Sequence, residues 1–96
     1  MSDHVITQQM GITHRDFFRL LPTALGTDGF TVDGPTAVCE FDGKRVAISL
    51  GPEGERRIAL LSIPTADVTI TLSGFDEAER EKFMTTFDRA YQRGGG

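Results

Sequence analysis

The chain has one cysteine, Cys39, no long apolar run, no low-complexity interior and no surplus of Lys and Arg. Each shortage removes a class of protein. A lone thiol cannot close an internal disulfide. With no apolar stretch at the N-terminus or of membrane-spanning length, neither a signal peptide nor a transmembrane helix is expected, and a reducing, cytoplasmic setting is the default reading. A formal net charge of −4 and a pI near 5.0 argue against non-specific binding to nucleic acid or to an anionic membrane, both of which lean on excess Lys and Arg.

What remains is a globular composition. At 39% hydrophobic and 25% charged residues with seven Phe, a chain of 96 residues has enough apolar matter for two layers around one small core. We therefore expect a single domain over 1–96, with flexible tails at 1–11 and 94–96; within the first tail, Val5-Ile6 could add a short edge strand.

The organising stretch is Val46 to Leu72. It reads V-A-I-S-L, R-I-A-L-L-S-I and V-T-I-T-L, three short alternating runs separated by G-P-E-G-E-R and P-T-A-D. Upstream, Phe30-Thr31-Val32 and Ala37 to Phe41 read as two more strands, and Asp42-Gly43 is a two-residue hairpin loop that calls for positive φ. That loop places Phe41 opposite Lys44, Glu40 opposite Arg45, Cys39 opposite Val46 and Ala37 opposite Ile48. Turns centred on Glu53 and near Thr65 would then set Ile48 against Ile58, Val46 against Leu60, Leu60 against Ile70 and Ile58 against Leu72. In this register one side of the sheet is wholly apolar: Phe30, Val32, Ala37, Cys39, Phe41, Val46, Ile48, Leu50, Ile58, Leu60, Val68, Ile70 and Leu72. The other side collects Thr31, Val38, Glu40, Arg45, Ala47, Ser49, Arg57, Ala59, Leu61, Asp67, Thr69 and Thr71.

Two helices flank the strands. Thr13 is positioned to cap a first helix with Asp16 three residues on, and Ile12 and Phe17 stand at the two positions of a hydrophobic staple. Phe17, Leu20, Leu21 and Ala24 form its apolar stripe, while Pro22 predicts a kink or a stop and a loose last turn. Asp76 and Glu79 open a second helix from Glu77 to Arg93, with Phe83, Met84, Phe87, Ala90 and Tyr91 on one face. The expected fold is α+β: helix, five-stranded antiparallel meander, helix, with both helices on one face.

No motif carries chemistry on its own. Cys39 falls on the core face and reads as a buried small hydrophobe rather than a catalytic or metal thiol. His14 and Asp16 diverge at a helix start, which leaves His14 a solvated first-turn residue. If Met1 is removed, the amine of Ser2 with the amides and His4 would form a square-planar Cu(II) or Ni(II) binder, but nothing else in the chain handles such ions. Gly51 to Arg57 lacks the spacing and the Lys of a phosphate loop and reads as a hairpin turn, with Arg57 and Arg45 making a modest basic spot. The Gly94-Gly95-Gly96 end resembles the terminus of ubiquitin-like carriers, but a helix leads into it here, so it reads as a helix cap followed by a tail. No cofactor is expected.

The open face has two readings. Val38, Ala47, Ser49, Ala59 and Leu61, flanked by Arg45 and Arg57, compose a flat, small-residue centre with a charged rim, as in a pairing surface; the same residues would also suit an ordinary solvated face. The function expected is a non-enzymatic protein-interaction or accessory module working through that face, as a homodimer or on a protein partner. The alternative is a ligand-binding domain or enzyme with a pocket between helices and sheet, lined by Phe17, Leu21, Phe83 and Phe87.

Overall fold

The computed structural model describes residues 3–94. The Ser2 amine of the metal reading and Gly95-Gly96 of the tail reading lie outside the described residues. The protein is α+β, with one antiparallel six-stranded sheet and two helices. In chain order the elements are β1 (His4–Met10), α1 (His14–Leu25), β2 (Thr31–Asp33), β3 (Thr36–Phe41), β4 (Lys44–Leu50), β5 (Gly54–Ile58), β6 (Leu61–Ser73) and α2 (Glu77–Gly94). The main sheet runs β1-β6-β4-β3-β2, and β5 pairs only with β6.

The β3–β4 hairpin forms as its turn residues dictate. Asp42 and Gly43 take φ of 49° and 75°, the mirror-image turn that matches strand twist. Phe41–Lys44, Glu40–Arg45, Cys39–Val46 and Ala37–Ile48 are opposed as expected.

Elsewhere the meander is corrected. Val5-Ile6 belongs to a seven-residue strand in full register with β6, from His4–Leu72 to Met10–Ala66, so most of the stretch read as a flexible tail is sheet. β5 does not sit between β4 and β6. Instead β4 pairs directly with β6, with Val46 opposite Leu72 and Ile48 opposite Ile70. The expected register would have set Arg56 opposite Leu50 on the helix-covered face, where an unpaired guanidinium costs far more than any aliphatic pair returns.

Nor is there a turn near Thr65. β6 is a single 13-residue strand, and the chain reverses at Ala59-Leu60 instead, with Ala59 at φ 53°. Because Ile58 and Leu61 close that turn as a bonded pair, pairs alternate and Glu55–Pro64 falls at a non-bonded position. The nitrogen of Pro64 therefore points away from β5, and the strand keeps its ladder there without an N–H. In consequence Ile58 and Leu60, expected in the core, are exposed, Leu60 completely.

Both helices cover one face, as expected. The Thr13 hydroxyl accepts the Asp16 N–H at 3.1 Å, while Ile12 and Phe17 are buried as a staple. Helix α1 passes through Pro22 and ends at Gly26, whose φ is 74° and whose N–H returns to the Pro22 carbonyl. The helix therefore does not stop at Pro22, on either side of which Leu21 and Ala24 are anchored in the core. At α2, Asp76 and Glu79 exchange side chain and backbone hydrogen bonds reciprocally, at 2.8 and 2.9 Å.

The space between helices and sheet is filled with rings. Phe17 stacks on Tyr91 with centroids 4.9 Å apart, Tyr91 lies 4.8 Å from Phe87, and Phe17 and Phe87 are completely buried. The Tyr91 hydroxyl donates to the Phe17 carbonyl at 2.8 Å, and burial pushes its phenol well above its usual range. Each such ring contributes about 1.5–3 kcal/mol of burial.

Candidate interaction surface

Strand alternation and the pairing registers fix what lies on the face opposite the helices. One row runs Val5, Thr71, Ala47, Val38, Thr31 across five strands without a charged residue. A second runs Thr7, Thr69, Ser49, Thr36, Asp33. At the β3–β4 turn end, Ser73, Arg45 and Glu40 form a third, and the Ser73 hydroxyl donates to Asp3 at 2.8 Å. Beyond the second row, at the other end, lie Gln9 and Asp67.

Four of the expected surface residues, Val38, Arg45, Ala47 and Ser49, are therefore neighbours on one uncovered face. The other three are not among them. Arg57, Ala59 and Leu61 belong to the β5–β6 hairpin, which projects past the main sheet and contributes to extents of 46 × 25 × 22 Å. Leu61 and Ile63 keep the parity of Thr69 and Thr71 and so look out on the uncovered side, with Ile58 and Arg56 paired to them. Arg57 opposes Ser62 on the other side and bonds Glu55 at 2.8 Å, holding that carboxyl below its usual range. The basic spot expected from Arg57 with Arg45 does not form.

Reasoning from the sequence missed Val5, Ile58 and Arg56. Val5 is 59% exposed and Ile58 52%, large values for aliphatic residues on a face that no helix covers. The alternation of Val5, Thr7 and Gln9 against Ile6, Gln8 and Met10 was the available signal for β1.

The root of the arm is tied to α1. The Glu53 carboxylate accepts the His14 backbone N–H at 3.1 Å, at the helix start where a negative charge is favoured. The His14 ring donates from Nε2 to the Gly51 carbonyl at 2.6 Å, and the Gly51 N–H reaches the Asp67 carbonyl at 2.8 Å. His14 is thus a tether for the β4–β5 loop, not a solvated residue, and Gly51 to Glu53 is that loop, not the hairpin turn expected over Gly51 to Arg57.

Two clefts lie near the β3–β4 turn. Phe83 lines an open cleft of about 300 Å³ between α2 and the β3–β4 turn, with Phe41, Phe75, Lys44 and Lys82; Phe17, Leu21 and Phe87 lie in the packed interior instead. Lys44 pairs with Glu79 at its rim, which raises the lysine and lowers the carboxyl from their usual values. Another cleft, of about 470 Å³, opens around Asp3, Glu40, Asp42, Arg45 and Ser73. Cys39 is buried, and burial raises its thiol. Among the described residues no helix is long and apolar enough to cross a membrane, and no three His, Cys, Asp or Glu side chains cluster as metal ligands would.

No family model, curated protein or solved structure matches the chain.

Proposed function

We propose that this protein is a non-enzymatic interaction module whose working surface is the uncovered sheet face, centred on Val38, Ala47 and Ser49 and edged by Arg45. The observation that carries this reading is the charge-free row of Val5, Thr71, Ala47, Val38 and Thr31 on the face opposite both helices. Flat, small side chains in the middle with charges at the rim let another surface approach closely and exclude water. Ala59, which would have been the natural probe of this face, stands in the arm's turn, so the test belongs at Ala47. Ala47→Glu should weaken association about a hundred-fold, read as solution mass across a concentration series, while leaving the circular dichroism and melting temperature near those of the parent. Association as tight in Ala47→Glu as in the parent rejects the reading.

The second reading is ligand binding in the cleft between α2 and the β3–β4 turn. It rests on three aromatic rings, Phe41, Phe75 and Phe83, beside Lys82 and the Lys44–Glu79 ion pair, a lining in which Lys82 is the cation left to meet an apolar molecule bearing an acidic group. Ala47→Glu would leave such binding unchanged.

A further inference from the structure

We infer that the partner of the uncovered face is a second copy of this chain, and that the β5–β6 arm of each copy lies across the sheet of the other. This rests on the reading of that face as an interaction surface and adds its occupant. The arm is an exposed apolar object: Leu60 is fully exposed, Leu61 66% and Ile58 52%. Its Leu61 and Ile63 point to the same side as the uncovered face, because both belong to the odd-numbered positions of one unbroken strand, β6.

Distance along that strand decides the geometry. Leu61 lies five residues before Ala66 and Thr71 five after it, about 17 Å either way at strand rise. A two-fold axis passing at Ala66, parallel to the sheet and across the strands, therefore sets Leu61 over the partner's Thr71, Ile63 over the partner's Thr69 and Thr65 over the partner's Asp67. The apolar tip lands on the charge-free row. Sheets packed in this way lie about 10 Å apart, a gap that small floor residues such as Ala47 and Val38 leave for Ile58 and Leu61 to fill.

Charge agrees with this offset arrangement. The uncovered face carries Asp33, Glu40 and Asp67 against Arg45, whereas the same side of the arm carries Arg56 alone, Arg57 and Glu55 being paired with each other on its other side. Stacking face on face without the offset would oppose like charges; laying arm on face opposes unlike ones and brings Arg56 towards the partner's Asp67. Each contact is made twice, as closed two-fold symmetry requires.

The arrangement makes a prediction that a simple face-to-face dimer does not. Leu61→Lys spoils the arm and Ala47→Glu spoils the face, so a dimer of either variant has no intact contact. Mixed together, they have one intact contact, and in the other the two introduced charges oppose each other with unlike sign. By sedimentation across a concentration series, the parent should be a dimer. Each variant alone should associate about a hundred-fold more weakly, since every substitution counts twice. An equimolar mixture should recover the dimer. Should Leu61→Lys alone remain dimeric while Ala47→Glu does not, the face associates without the arm, and this inference falls while the proposed function stands. If both variants stay dimeric, both fall. A parent that is monomeric throughout the series also overturns the arm-on-face dimer.

Discussion

The β3–β4 hairpin and the β5–β6 arm each reverse on two residues, Asp42-Gly43 and Ala59-Leu60, with the first of each pair at positive φ. The first hairpin lies inside the sheet, where Cys39, Val46 and Ile48 are buried beneath the helices. The second leaves the sheet, and its aliphatic residues meet water. What separates them is the company each strand keeps. β4 alternates aliphatic with small or polar residues and so has a face to bury, while β5 brings Glu55, Arg56 and Arg57 together and has none. Local turn geometry alone does not decide which hairpin joins a core; the charge on the strand does.

Substitution can sharpen that contrast. Ile48, 1% exposed, and Leu60, fully exposed, are similar aliphatic side chains on the two hairpins. Ile48→Ala should cost about 2–5 kcal/mol in denaturant unfolding. Next in size is Gly74→Ala, which acts on the first hairpin from outside. Gly74 has φ of 81°, and a Cβ there would stand 2.7 Å from the Gly43 carbonyl, so the turn would have to shift at a cost of about 2–3 kcal/mol. Ala59→Gly should go the other way, relieving a left-handed alanine and raising stability by up to about 1 kcal/mol. Smallest of all, Leu60→Ala should change stability by less than about 0.5 kcal/mol. A large loss at Leu60 would mean that the arm is folded back on its own sheet, and the contrast between the hairpins would break.

The same contrast explains how much of the molecule was legible. The helices, their caps, the Asp42-Gly43 register and the inward residues of β3, β4 and the second half of β6 follow from period, capping and turn chemistry, all of them local. The partner of β4 is not local. Val46 and Ile48 match the alternation of Ile58 and Leu60 as well as that of Ile70 and Leu72, and only the fate of Arg56 discriminates. Ala59 gives no turn signal because alanine seldom adopts φ of 53°, whereas Pro64-Thr65 gives a false one. Four of the seven expected surface residues, Val38, Arg45, Ala47 and Ser49, were legible because they lie on strands whose register the Asp42-Gly43 turn sets. Arg57, Ala59 and Leu61 were displaced onto the arm by the same error that misplaced β5, and Val5 was hidden in a stretch too polar to declare itself a strand.

Pro64 has a further effect. Along Leu61 to Thr65, β6 pairs with β5 on one side only, since the β1 ladder stops at Ala66. A strand edge without a ladder partner is where foreign chains add on and fibrils begin. The nitrogen of Pro64 faces that edge and has no hydrogen to give, so a strand arriving there would find its ladder broken in the middle. The arm can thus present an apolar tip to a chosen surface while its own backbone resists being extended into an aggregate.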